Sequence, residues 1–178
     1  MLHDRELLDR LAAFSPVVFD GEVYRATRRG LDPTAPSTAG GRWMPPYQTP
    51  TLYTSCAREG AIAEIAFHWS QLTPMPSKPA LVHELGVRVG KSLRLGRPEL
   101  TGLGLDWSAY ETLNWSRTQA IGAAVAHLDY HGLIAPSARW NCDNVILFPS
   151  NHDDDDRLEL RRSEQVDWRA WLAEHESN

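Results

Sequence analysis

Cysteine is scarce in this chain: only Cys56 and Cys142 occur, far apart and without CxxC spacing. A disulfide framework is not indicated, and two thiols alone make no structural zinc site. No apolar run approaches the length needed to span a bilayer. The opening MLHDRELLDRLAAF scatters charges where a secretory signal needs an apolar core. Positive charge is also short, with 18 Lys and Arg against 23 Asp and Glu and a formal net charge of -5. Sequence-independent binding to nucleic acid relies on a basic surplus, so that class is not expected. No GxGxxG follows a strand, and GxSxG, HExxH and the P-loop pattern are missing. His127 and His131 stand four apart, as zinc ligands on a helix can, but without the glutamate of that motif no metal is expected. These absences leave a cytoplasmic protein of a reducing compartment as the expectation.

What is present is enough to build a core. The 178 residues are 42% hydrophobic and include seven tryptophans, which suits one compact domain over residues 1–178. Residues 3–14 carry Leu7, Leu8, Leu11 and Ala12 at helical spacing, and Ser15-Pro16 stops that helix. VVFDGEVYRAT reads as extended, with a turn at Asp20-Gly21 and a strand over residues 22–26. Residues 28–50 form a long loop rich in Gly, Pro, Ser and Thr, a length that favours a binding loop. A strand over residues 51–54 follows, then Ser55 as a cap and a helix over residues 57–69. That helix places Glu64 and His68 on one flank of an apolar stripe. ALVHELGVRV alternates as a strand, with His83 a hydrogen-bonded core residue. Residues 91–115 show no clear pattern and are open to further site groups or a partner contact.

Ser116 to Gln119 has the form of a capping box for a helix that ends at Gly132. LIAPSARWNCDNVILFP gives two strands around a polar turn. The acidic run 153–156 reads as a solvated loop, residues 158–166 as a last strand, and VDWRAWLAEHES as a closing helix. The class is α+β, with short strands, three or four helices and no repeats.

Five short motifs in order carry a family resemblance. They are YR at 24–25, GGRW at 40–43, LYTS at 52–55, AIAE at 61–64, and the block from PSAR to NVILFP. No one of them is specific alone, but together and in this order the chain resembles the RES domain family of bacterial toxins across residues 23–148. The family takes its name from an arginine, a glutamate and a serine, matched here by Arg25, Glu64 and Ser137. The resemblance implies a fold similar to ADP-ribosyltransferase toxins, with two small sheets around a cleft that holds NAD. It implies depletion of NAD by splitting the nicotinamide-ribose bond, with water or phosphate as acceptor. It also implies a cognate antitoxin with an Xre-like helix-turn-helix region, with which an oligomer can form.

The residue types suit that chemistry. Breaking the N-glycosidic bond of NAD expels neutral nicotinamide and leaves an oxocarbenium-like ribose, which a carboxylate such as Glu64 stabilises. Arg25 and Arg42 offer forked donors to a pyrophosphate. Tyr53 and Tyr24 offer aromatic faces to the cationic nicotinamide ring. The hydroxyl of Ser137 is a candidate for fixing a ribose or amide group. Two alternatives stay open at the level of sequence: a protein ADP-ribosyltransferase on the same scaffold, and a non-catalytic NAD-binding module.

Overall fold

The computed structural model describes residues 4–176. Helix α1, Arg5–Ala12, starts where the Asp4 carboxylate accepts from the Glu6 backbone N–H, and it buries Leu7 and Leu11 on one side. Strand β1, Val17–Thr27, follows without a break. The turn expected at Asp20-Gly21 is not there. Both residues pair straight through with Arg88 and Val87 of the long strand β3, Ala80–Arg94. A long partner strand supplies ladder hydrogen bonds that outweigh the local turn tendency of Asp-Gly.

Strand β2, Leu52–Ser55, leads to helix α2, Arg58–Ser70. Ser55 belongs to the strand rather than capping the helix. The N-cap position is Ala57, whose N–H donates to Ser55 Oγ at 3.3 Å. Small residues Gly60, Ala61 and Ala63 are buried on α2, and the helix packs on β1, β2 and β3.

The unassigned stretch resolves into the end of β3, a short helix α3, Arg97–Gly102, and a 3-10 turn over Trp107–Ala109. Helix α4, Ser116–His127, has Trp115 at its N-cap and no side-chain cap. The capping box does not form, because Ser116 Oγ donates to Asn114 Oδ1 and the Gln119 amide donates to Gly41 O at 2.9 Å. The helix ends before Leu128, and the left-handed residue beyond it is Asp129, not glycine. Gly132 instead opens β4, Gly132–Pro136, which pairs with β5, Asp143–Leu147. Strand β6, Arg157–Val166, and helix α5, Trp168–Glu176, complete the chain.

The expected two small sheets are one hydrogen-bonded set. The strands run β1-β2-β5-β4-β3-β6, and β1 also pairs with β3, so five of them close into a ring with β6 on the outside of β3. Such closure removes most free strand edges. The class is the expected α+β, a closed sheet with flanking helices.

The main core lies between this sheet and helices α1 and α4, around Leu11, Trp43, Ile121, Leu133 and Phe148. Full burial of each such side chain contributes roughly 1.5–3 kcal/mol. Helix α4 comes very close to the long loop: a Cβ on Gly122 would stand 1.8 Å from Trp43 O, so only glycine fits there. That contact seats the GGRW segment on the core. His83 is buried between Thr27 Oγ1 at 2.8 Å and Ser163 Oγ at 2.7 Å, the satisfied core histidine that the sequence suggests. No helix among the described residues is long and apolar enough to cross a membrane.

Candidate functional site

A cleft of about 760 Å³ opens where β1, β2, α2 and the long loop meet. Its volume falls in the range of small-molecule sites, roughly 300–1,000 Å³. Arg25, Glu64, Arg42, Tyr53 and Tyr24 all line it, so the structure brings together five of the six residues singled out from sequence. Ser137, the sixth, does not line it. It stands behind Glu64 and reaches the cleft only through that carboxylate.

Glu64 is the one acidic residue among the described lining groups, and it is held from behind. Ser137 Oγ and Asn144 Nδ2 both donate to Glu64 Oε1, each at 3.3 Å. Oε2 lies 3.9 Å from His68 Nε2, one helical turn on. The Glu64 side chain keeps 31% of its surface exposed, so one oxygen is fixed while the carboxylate still faces the cleft. Ser137 is fixed in turn, since its Oγ accepts from the N–H groups of Arg139 and Trp140 at 3.1 and 3.3 Å. The turn between β4 and β5 thus positions the carboxylate of α2.

Four arginines share the cleft lining with this single carboxylate: Arg25, Arg28, Arg42 and Arg139. In a chain of net charge -5, the cleft is locally cationic and attracts anions. Arg25 Nη1 donates to Pro33 O at 2.8 Å and Ala35 O at 3.0 Å, tying the start of the long loop to β1. Arg42 donates to Tyr110 O, with its guanidinium 4.9 Å from the Tyr110 ring centre and 5.8 Å from that of Trp115. Arg139 lies 3.4 Å over the Phe67 ring, and its buried Nε has no hydrogen-bond partner among the described residues. Burial lowers the pKa of Arg25, Arg42 and Arg139 below the usual guanidinium value. Arginine nonetheless stays charged at any physiological pH.

Tyr53 has a second task. Its hydroxyl accepts from Trp43 N at 3.1 Å, and burial raises its pKa far above the phenol range. A Cβ on Gly41 would meet that hydroxyl at 2.9 Å, so GGRW keeps its glycine to let the tyrosine in. Tyr53 therefore props the loop that presents Arg42, besides lining the cleft. Burial lowers the His68 pKa below 6.5, with Glu64 opposing the shift and Arg139 and Arg42 adding to it. Burial thus favours the neutral form of the imidazole beside Glu64. Burial pushes the Cys56 thiol up to about 11, which rules it out as a nucleophile at neutral pH.

The sequence reading named neither Asn144, Arg139 nor Trp115 as a site residue. Asn144 and Arg139 lie inside the motif block that identified Ser137, and the alternation of β5 places Asn144 beside its Glu64 neighbour. Trp115 comes from the unpatterned stretch, where only the fold reveals its placement.

A family model described as the RES domain matches residues 20–170. Among solved structures, the M. tuberculosis MbcT-MbcA toxin-antitoxin complex contains a chain similar to this one. It is 21% identical, covers 96% of this chain and 97% of its own length, and superposes with a TM-score of 0.81. At that identity the likeness is one of fold. No curated protein matches the chain.

Proposed function

This chain belongs to the RES domain family, and we propose that it is the toxin of a toxin-antitoxin system that depletes NAD. The observation that carries the reading is the single carboxylate, Glu64, anchored by Ser137 and Asn144 in a cleft that four arginines also line. An anionic ligand with a centre that becomes cationic during reaction suits such a cleft, and NAD is one. Its pyrophosphate takes the forked donors of Arg25 and Arg42. Its nicotinamide-ribose bond breaks to neutral nicotinamide and an oxocarbenium-like sugar, whose positive charge the Glu64 carboxylate stabilises.

The bonding electrons leave with nicotinamide, so no acid is needed for departure. Water or phosphate then bonds to the ribose carbon, and a water nucleophile gives up its proton to bulk solvent. Tyr24 and Tyr53 supply aromatic walls for the nicotinamide ring. Ser137 acts as a positioning residue that fixes Glu64 rather than touching the sugar. A cognate antitoxin is the partner this reading implies, in keeping with the complex in which the similar chain is found.

The test is incubation of the purified chain with NAD, with and without phosphate, followed by chromatographic identification of products. Free nicotinamide together with ADP-ribose or its phosphate is the expected result. Intact NAD after prolonged incubation would overturn the reading. Label from NAD transferred to a discrete protein, with little turnover alone, would assign the cleft to a protein ADP-ribosyltransferase.

A further inference from the structure

We propose a divalent-cation site at the end of the molecule away from the cleft, with His131, Asp153 and Asp156 as its ligands. The ligand atoms these three side chains offer lie within 4.8 Å of one another. Neither half of the site stands out in sequence, because Asp153 and Asp156 sit in a charge run and His131 lies outside the run. The fold brings them together: His131 directly precedes β4, and the acidic run lies in the loop between β5 and β6.

Asp156 is not the solvated residue that its charge run suggests. Its side chain is 1% exposed. Oδ1 accepts from Gly90 N of β3 at 2.7 Å, and Oδ2 accepts from Asp153 N at 3.3 Å. Backbone donors thus fix the carboxylate before anything binds. His131 is 8% exposed, and its Nδ1 lies 2.6 Å from Asp156 Oδ2. The two are close enough for an ion pair, yet Nδ1 makes no hydrogen bond among the described residues. The nitrogen is therefore buried, beside an anion, and not aligned with it.

Buried polar side chains nearly always find a partner. His131 Nδ1, Asp156 Oδ2 and an oxygen of Asp153 are near enough to one another to share a single partner. That is the relation of ligands to one ion. Asp153 stands on the exposed rim, where its Oδ1 accepts from Asp155 N at 3.0 Å and its other oxygen is the candidate third ligand. One imidazole nitrogen with two carboxylate oxygens suits zinc or its neighbours in the first transition row better than calcium, which prefers oxygen alone. The surroundings support the ligands, since His131 O accepts from Phe148 N at 2.9 Å and lies 3.1 Å from His152 Nε2.

The site is distinct from the cleft. The β4–β5 pair runs from Gly132↔Leu147, beside His131, to Pro136↔Asp143, beside Ser137 and Asn144. Four residues of strand separate the two ends by roughly 13 Å. An ion there ties the β5–β6 loop to β3 and β4, so its consequence is stability. The proposal does not rest on the cleft's reading.

The test is calorimetric titration of the chelator-stripped full chain with Zn²⁺, backed by the visible absorption of Co²⁺. One saturating equivalent, with a raised melting temperature, is expected. Asp153→Asn, an exposed change that keeps the fold, is expected to weaken binding about tenfold or more and to leave nicotinamide release unchanged. His175→Gln is expected to bind as the native chain does. No saturable binding, native affinity in Asp153→Asn, or loss of binding in His175→Gln would each overturn the site.

Discussion

Glu64 and Asp156 are two carboxylates near opposite ends of the β4–β5 pair, and they are held in contrasting ways. Glu64 is anchored through one oxygen by side-chain donors and leaves 31% of its side chain open to a cleft of arginines. Asp156 is anchored by backbone N–H groups, is 1% exposed, and faces a histidine. A carboxylate fixed from behind yet open in front is placed to act on a ligand. One buried and fixed by backbone donors is placed to hold the fold together. The same residue type, a few residues of strand apart, thus serves two ends, and surroundings decide which.

Removing Glu64's charge gives the largest expected effect on one side of this contrast. Glu64→Gln is expected to slow nicotinamide release by about 100-fold or more, the usual loss when a preorganised electrostatic group goes. Its melting temperature is expected to stay close to the native value, because the side chain is partly exposed. Next comes Ser137→Ala, which leaves the carboxylate in place but frees one oxygen. A fall in kcat of about tenfold with little change in KM is expected, matching one charge-assisted hydrogen bond. Restoration by Ser137→Thr would separate positioning from packing.

On the other side, Asp156→Ala is expected to cost about 1–3 kcal/mol in urea unfolding, because Gly90 N and Asp153 N lose their acceptor. For a chain of this size each kcal/mol lowers Tm by about 2–4 °C, while turnover of the folded fraction is unchanged. The smallest effect concerns pH. Burial lowers the pKa of both His68 and His83 from 6.5 in the folded state. The unfolded chain then binds more protons than the folded one between the folded and unfolded values. Stability is therefore fully present above about pH 6.5 and is lost as pH falls through the folded values. Urea midpoints measured downward from about pH 7.5 are expected to drop, and His83→Gln to flatten part of that drop.

The two ends of the contrast were not equally legible in the sequence. Glu64, Arg25 and Arg42 lie in motifs that keep their order along the chain, and the cleft gathers them with no rearrangement of the reading. The helical spacing of Leu7 and Leu11 and the alternation of β3 also match the fold, since burial on one face is what those patterns encode. Asp156 was hidden because a run of four aspartates reads as solvent whichever one the fold buries. Where local signals misled, a distant partner had won. Gln119 is drawn from its capping box to Gly41 O, and Asp20-Gly21 from a turn to β3. Ser137 was found through its motif, but its place behind Glu64 follows only from the turn that aims it.

The central claim is that Glu64 does chemistry while Asp156 does not, and the initial rate of nicotinamide release tests it most directly. Glu64→Gln and Asp156→Ala are to be assayed side by side, each at a matched concentration of folded protein. The account predicts a rate lowered by about two orders of magnitude or more in the first and a native rate in the second. A native rate in Glu64→Gln, or an equal loss in both, would contradict it.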